Sequence, residues 1–538
     1  MASLPRLRRR QRTPSTRNQR IGFAFFWLLV AAYAYFIPVT PSFNTESHLY
    51  VTFNLVERGT VNIDAFHRRL GDESYWRGHY YSDKAPGLSL LAVPVFAVLH
   101  VAFPHYNPQP YTASGRAGYG IPRNTVYLRY AITYVLVIVP SAIMAILLWL
   151  FLAQFIPSGW ALASSAVYAL GTTAYCYAMW YFSHQVCAVL LFGAFLAIFA
   201  ALRGRVLGSS GSGEDRPPLA GETISGSGRP SASDGRRSLG LLLLAGLLAG
   251  YSIISEYPTI LIAAVLGVYL LVVANQKLRA AGAYLAGMAP PALLAGVYNL
   301  AAFGSPLSTG YMHVHSSLYR HSIKAGIFGL GSLSGYGIQA PTWHSIWEIT
   351  FGTYRGIFLI SPILVLFPLG AWIAWRRGVL RPEIALCAAI VVLYFLMDAS
   401  RPQDVNGWSG GFSVASRHLV PMLPFMMLPI ALGLQNRAYR VVFVVLGALS
   451  LVELFLITVT GSFGGFNYYD QNPLINELWA RVEHGHVNLN WGYMGGLSGL
   501  PSVAPYLLIA GFLVTRIVWV FRRVRVAGPR PALAPEAA

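Results

Sequence analysis

Thirteen apolar runs, most of them about as long as a bilayer is thick, leave this chain few ways to fold. They fall near 21–38, 87–104, 126–152, 158–178, 181–202, 239–255, 258–274, 281–303, 349–374, 382–398, 418–434, 439–461 and 501–521. A helix needs about 20 apolar residues to cross the hydrocarbon core. Lipid offers the backbone no hydrogen-bond partner, so each run is expected to be helical. Composition agrees, with 55% hydrophobic and only 11% charged residues, far below the roughly 25% charged of a soluble domain. The expected fold class is an all-α polytopic membrane bundle.

The net charge of +19 could suggest nucleic acid, but the basic residues are placed otherwise. They cluster at Arg6 to Arg20, Arg203 to Arg205, Lys277 to Arg279, Arg376 to Arg381, Arg437 to Arg440 and Arg522 to Arg525, each cluster flanking an apolar run. This is the positive-inside pattern, so the charge reports orientation and contact with membrane lipid, with no nucleic acid partner. It puts the N-terminus, the loops near 203–238, 275–280, 375–381 and 435–440, and the C-terminus inside. The loops at 39–86, 304–348, 399–417 and 462–500 then face outward. Thirteen crossings cannot place both termini inside, so about 12 are expected, with the exception near 126–178. Ala32-Tyr33-Ala34 mimics a signal-peptidase site, but the run before Pro38 is long enough to remain as an uncleaved first helix. Cys176, Cys187 and Cys387 lie in or beside apolar segments without metal or disulfide spacing.

The chain divides into a basic N-terminus (1–20), an N-terminal bundle (21–203) whose first outer loop spans 39–86, a linker (204–238), a C-terminal bundle (239–521) and a tail (522–538). The linker is rich in Gly, Ser and Pro and cannot bury enough apolar surface to fold.

Polar residues gather on the outward side. The first outer loop carries N-T-E-S-H, with Glu46, and Y-Y-S-D-K-A-P-G, with Tyr81, Asp83 and Lys84. His184 begins an apolar run, and Glu256 precedes Tyr257-Pro258. Arg355 lies in T-Y-R-G-I-F-L-I-S-P, and Trp408, Arg417 and His418 lie in W-S-G-G-F-S-V-A-S-R-H. Charges at the mouth of a membrane bundle are costly and usually kept for a reason. A carboxylate and a cation at one water–lipid boundary suit a reaction between a lipid-linked phosphate and a hydroxyl. Bland roles stand beside this one. Glu46 also suits a helix-capping carboxylate, Lys84 a snorkelling lysine, and Arg355 and Arg417 ion pairs with Glu348 or Asp398. His313, His315, His321 and His344 match no standard zinc spacing.

Together these motifs resemble bacterial glycosyltransferases of the GT-C class. The nearest group uses polyprenyl-phosphate sugars and is related to protein O-mannosyltransferases and the lipid A aminoarabinose transferase. The resemblance covers most of the chain outside the linker. It implies outward loops carrying short helices, a polyprenyl-phosphate sugar donor, inversion at the anomeric carbon and an extracytoplasmic active site. It places Glu46 as the catalytic carboxylate, Lys84 as a donor-phosphate ligand and Arg355 as a second one; Arg417, near the outer end of a helix, is a further candidate for phosphate contact. Asp83, Tyr81, His184, Glu256, Trp408 and His418 are candidates for substrate contact. Where many relatives carry an acidic pair, Thr45-Glu46 supplies one acid. No cofactor is demanded by these parts, and a divalent cation is compatible with them. The sugar and the acceptor stay open, and so do two alternatives: a transporter or flippase of lipid-linked sugars, and a glycan ligase or polymerase of the same architecture.

Overall fold

A computed structural model describes residues 14–38, 42–66, 72–104, 123–203, 232–315, 340–401, 407–411, 413–461 and 472–525. The runs fold as helices. In the first half these are α1 (Pro14–Tyr35), α2 (Phe43–Arg58), α3 (Gly87–Ala102), α4 (Val126–Leu152), α5 (Ser158–Gly171), α6 (Ala174–Ala178) and α7 (Ser183–Arg203). Then follow α8 (Ala232–Ser255), α9 (Ile260–Val273), α10 (Lys277–Phe303), α11 (Trp343–Thr350), α12 (Ile357–Ile360), α13 (Leu366–Arg376) and α14 (Arg381–Ala399). The last helices of the bundle are the short α15 (Leu423–Gly433), the long α16 (Arg437–Thr460) and, at the C-terminal end, Ala504–Arg525. Among the described residues seven helices are long and apolar enough to cross a membrane, and four shorter apolar ones accompany them. Large apolar side chains such as Val268, Leu293, Leu508 and Phe512 stay exposed, as expected where the solvent is lipid.

Within 126–178, where the exception to the inside-outside count is expected, the apolar run at 158–178 is broken. It ends as α5, turns at Thr172-Thr173 and resumes as the five-residue α6. Helix α8 starts at Ala232, inside the stretch read as linker, and residues 204–231 lie outside the described residues. Either side of that stretch the bundles share one core. Ser238 donates to the Ala201 carbonyl at 3.2 Å. The Arg203 guanidinium meets Glu383 at 2.6 Å, and Tyr269 donates to the same carboxylate at 2.8 Å, tying α7, α9 and α14 together. Helices α8 and α10 approach so closely that a Cβ on Gly246 would lie 1.9 Å from the Tyr284 carbonyl oxygen. Small residues are what allow such contact between membrane helices.

The first outer loop is not a loop throughout. After Pro38 the chain forms α2, then a two-stranded antiparallel hairpin, β1 (Glu73–Trp76) and β2 (His79–Ser82), with Glu73 opposite Ser82. Its two-residue turn has positive φ at Arg77 (48°) and Gly78 (89°), the twist that suits a tight hairpin. A small separate core seats this unit. Leu49, Phe53, Leu88, Phe96, Ile132 and Phe303 meet there, and Tyr50 stacks on Phe66 with ring centroids 4.3 Å apart.

Candidate active site

Helix α2 buries the polar string Asn44-Thr45-Glu46-Ser47-His48. Buried polar groups are costly unless partnered, and here the partners come from every side. Thr45 donates to the Tyr181 carbonyl at 3.3 Å. Ser47 bonds to the Asp72 carbonyl at 2.9 Å and to the Ser82 hydroxyl at 2.6 Å. His48 Nδ1 lies 3.1 Å from Ser89 Oγ at the start of α3. Burial pushes the His48 pKa down to about 3, so the ring is neutral.

Glu46 lies in the first turn of α2, where a helix dipole favours an anion. It is 4% exposed, and Arg129 Nη1 of α4 donates to its Oε1 at 3.1 Å. Arg129 Nη2 donates to the Pro38 carbonyl at 3.0 Å. Burial raises the Glu46 pKa above the ordinary carboxyl value, while Arg129 and a hydrogen bond from Tyr50 work in the other direction. Arg129, Thr45, Tyr130, Trp180 and Tyr181 line a small cleft beside this pair.

Lys84 sits where β2 gives way to α3. Its Nζ is 3.1 Å from Asp72 Oδ2 and 3.2 Å from Asp83 Oδ2, and 5.9 Å from the centre of the Tyr311 ring. Burial drives Asp83 up to about 6; Lys84 pulls it down and Asp72 pushes it up. Local glycines make this arrangement possible. A Cβ on Gly87 would meet Ser255 Oγ at 2.4 Å and the Ile254 carbonyl at 2.7 Å, and one on Gly310 would strike the Ser82 carbonyl at 2.6 Å. The Gly of Lys-Ala-Pro-Gly thus lets α3 start hard against the end of α8, and Tyr251 adds a hydrogen bond to the Gly87 carbonyl at 3.0 Å.

A second wall is built from the other two motifs. Arg355 is fully buried. Its guanidinium donates to the carbonyls of Ser413 and, at 2.7 Å, Gly411, and it covers the Tyr354 ring at 4.3 Å. It therefore shapes the W-S-G-G-F-S-V-A-S-R-H segment, where Gly410, Gly411 and Ala415 take positive φ. Trp408 is 2% exposed and wedged edge-on against Tyr354 and His344. The Arg417 guanidinium lies over Phe182 at 5.2 Å. His418 Nδ1 is 3.2 Å from His184 Nε2, and Glu256 Oε2 is 3.9 Å from the same His184 nitrogen.

The sequence candidates thus separate into groups. Lys84, Glu256, His184 and Asp72 all act electrostatically on His48, and Lys84, Arg401 and Arg417 act on both His184 and His418. Glu46 answers instead to Arg129, on another face of α2. Tyr81 packs on Phe303 at 5.2 Å. His313, His315 and His344 are dispersed among separate aromatic contacts, and His321 lies outside the described residues. Arg129 is a neighbour of the site that the sequence reading passed over, and Asp72, one of the acids of the first outer loop, joins it there. A charged residue one turn into an apolar run was the available signal for Arg129.

No family model matches the chain, and no curated protein matches it. Among solved structures it is similar to the apo oligosaccharyltransferase of Archaeoglobus fulgidus, at 11% identity and TM-score 0.44, over 89% of this chain and 57% of that one. It is also similar to ArnT from Cupriavidus metallidurans bound to undecaprenyl phosphate, at 14% identity and TM-score 0.45, over 95% and 75% of the two chains. A third likeness is to the archaeal oligosaccharyltransferase AglB from Archaeoglobus fulgidus with an inhibitory peptide and a dolichol-phosphate, at 10% identity and TM-score 0.44, over 91% and 59%. The match spans under two thirds of the length of the archaeal proteins.

Proposed function

We propose that this chain is an integral-membrane inverting glycosyltransferase that moves a sugar from a polyprenyl phosphate to an acceptor hydroxyl at the outer face. The observation that carries the reading is the double use of α2. It holds a buried carboxylate, Glu46, on one face. Through Ser47 it also grips the Asp72–Ser82 segment that ends in Lys84. The GT-C likeness of the motifs around Glu46 and Lys84 points the same way.

In this reaction Glu46 takes the proton from the acceptor hydroxyl as that oxygen attacks the anomeric carbon. The bond from that carbon to the phosphate oxygen breaks, and its electron pair leaves with the phosphate. Phosphate departs as a stable anion, so no general acid is needed. A base of raised pKa buried beside a cleft suits proton removal near neutral pH. Charge growing on the phosphate is met by fixed cations in a low-dielectric site, and Lys84 and Arg417 are proposed for that work. Arg355 contributes by shaping the segment that carries Arg417.

The test is transfer of radiolabelled sugar from a synthetic polyprenyl-phosphate sugar by purified protein in nanodiscs. Glu46→Gln should abolish transfer while the variant still folds and purifies, its amide oxygen remaining an acceptor for Arg129. Full activity in that variant removes Glu46 as the base.

A further inference from the structure

We infer that His184, Glu256 and His418 form a binding site for one zinc-class divalent cation beside Lys84. The three come from separate elements: the start of α7, the turn after α8, and the short 3-10 helix Arg417–Met422 that leads into α15. Their donor atoms all lie within 4.8 Å of one another. His184 Nε2 is 3.2 Å from His418 Nδ1 and 3.9 Å from Glu256 Oε2. A tetrahedral ion with bonds of about 2.0–2.2 Å holds its ligand atoms about 3.3–3.5 Å apart. The observed spacings bracket that value, and a small turn of the Glu256 side chain closes the set.

Ser183 supplies the support that metal ligands ordinarily have. Its hydroxyl donates to Glu256 Oε2 at 2.7 Å and lies 3.4 Å from His184 Nδ1. With its Nδ1–H directed at Ser183, His184 presents the lone pair of Nε2 to the centre of the triad. His184 and His418 are both buried, and the Glu256 side chain is 12% exposed. Two imidazoles and one carboxylate with a fourth position left over is the donor set of catalytic zinc sites.

Lys84, Arg401 and Arg417 act on both imidazoles and oppose a bare dication there. The same cations favour an anionic oxygen in the fourth position, and a phosphate is the ligand class that fits. This last step rests on the donor reading above; binding of the metal does not.

Full-length protein in detergent, stripped with chelator and titrated with Co²⁺ and then Zn²⁺, tests the site. About one ion per chain is expected, with the visible bands of tetrahedral cobalt, which zinc should displace. Glu256→Gln and His418→Gln should each weaken binding by more than about tenfold, and Ser183→Ala by about tenfold to a hundredfold. His79→Gln, at an exposed histidine paired with Asp64, should bind as the wild type does. Absence of tetrahedral bands in the wild type overturns the site, as does unchanged affinity in the Glu256 and His418 variants. Where His418→Gln fails to fold, Ser183→Ala decides. Undecaprenyl phosphate should then shift the cobalt spectrum. An unmoved spectrum removes phosphate as fourth ligand and leaves the metal site standing, and neither readout depends on glycosyl transfer.

Discussion

On one face of α2, Glu46 meets a single cation, Arg129, in a buried pair 3.1 Å apart. On another face, Ser47 leads to a segment in which Lys84 is gripped by two acids at 3.1 and 3.2 Å. The first arrangement balances one charge with one charge, and burial still lifts the carboxyl above its ordinary value. The second over-compensates its cation and fixes it in place. A side chain that must accept a proton benefits from a thin balance. A side chain that must hold still opposite a developing anion benefits from being fixed in place, and the rise of the Asp83 carboxyl to about 6 lessens the surplus of negative charge beside Lys84.

The contrast is sharpest in rate. Glu46→Gln keeps an oxygen for Arg129 to donate to but removes the proposed base, and should lower kcat by about a hundredfold to ten-thousandfold. Lys84→Ala should cost about a hundredfold, by analogy with loss of other electrostatic stabilisers, and should weaken undecaprenyl phosphate binding measured by titration. If Lys84→Ala matches wild type in both, the second face has no part in donor recognition.

The contrast reverses in stability. Arg129→Met strands a buried carboxylate, and removing one partner of a buried pair costs about 3–5 kcal/mol. Adding Glu46→Gln to it should recover most of the lost melting temperature. A double variant no more stable than Arg129→Met alone would show that Arg129 matters through its bond to Pro38 instead. Gly87→Ala should come next, at about 1–3 kcal/mol for an over-packed contact, because its Cβ would sit 2.4 Å from Ser255 Oγ. That change should also disturb the Lys84 segment, seen as weaker donor binding. Unchanged donor binding in a destabilised Gly87→Ala would uncouple the helix start from the lysine.

Much of this was legible from the chain because lipid simplifies the rules. Long apolar runs such as 126–152 and 439–461 must be helical, and they fall in helices Val126–Leu152 and Arg437–Thr460. The chemistry-bearing motifs could be picked out because charges are rare between such runs. What could not be read was which charges face each other. Arg129 stands 83 residues from Glu46, and nothing local in the sequence signals that pairing. Arg355 illustrates the opposite trap. A lone arginine before a helix suggests an anion site, yet its guanidinium is engaged by the backbone carbonyls of residues 411 and 413. Loop carbonyls leave no periodicity to read. The run at 158–178 looked continuous because Thr172 and Thr173 are tolerated in membrane helices, and only packing reveals the break after Gly171.

The smallest effect expected is a pH slope that belongs to the Lys84 face. Asp83 has its pKa raised to about 6 from 3.8, chiefly by burial, with Asp72 adding to it against Lys84. A carboxyl raised on folding binds its proton more tightly in the native state. Its contribution is therefore fully present below about 3.8 and lost as pH rises through about 6. Across that window Asp83→Asn should flatten one component of the fall in melting temperature with rising pH, measured by scanning fluorimetry in one detergent at fixed ionic strength. Arg129→Met should leave this component in place, since Arg129 is not among the groups that set the Asp83 carboxyl. If Arg129→Met flattens the slope as well, the two faces of α2 titrate as one unit, and the separation between proton acceptor and fixed cation fails.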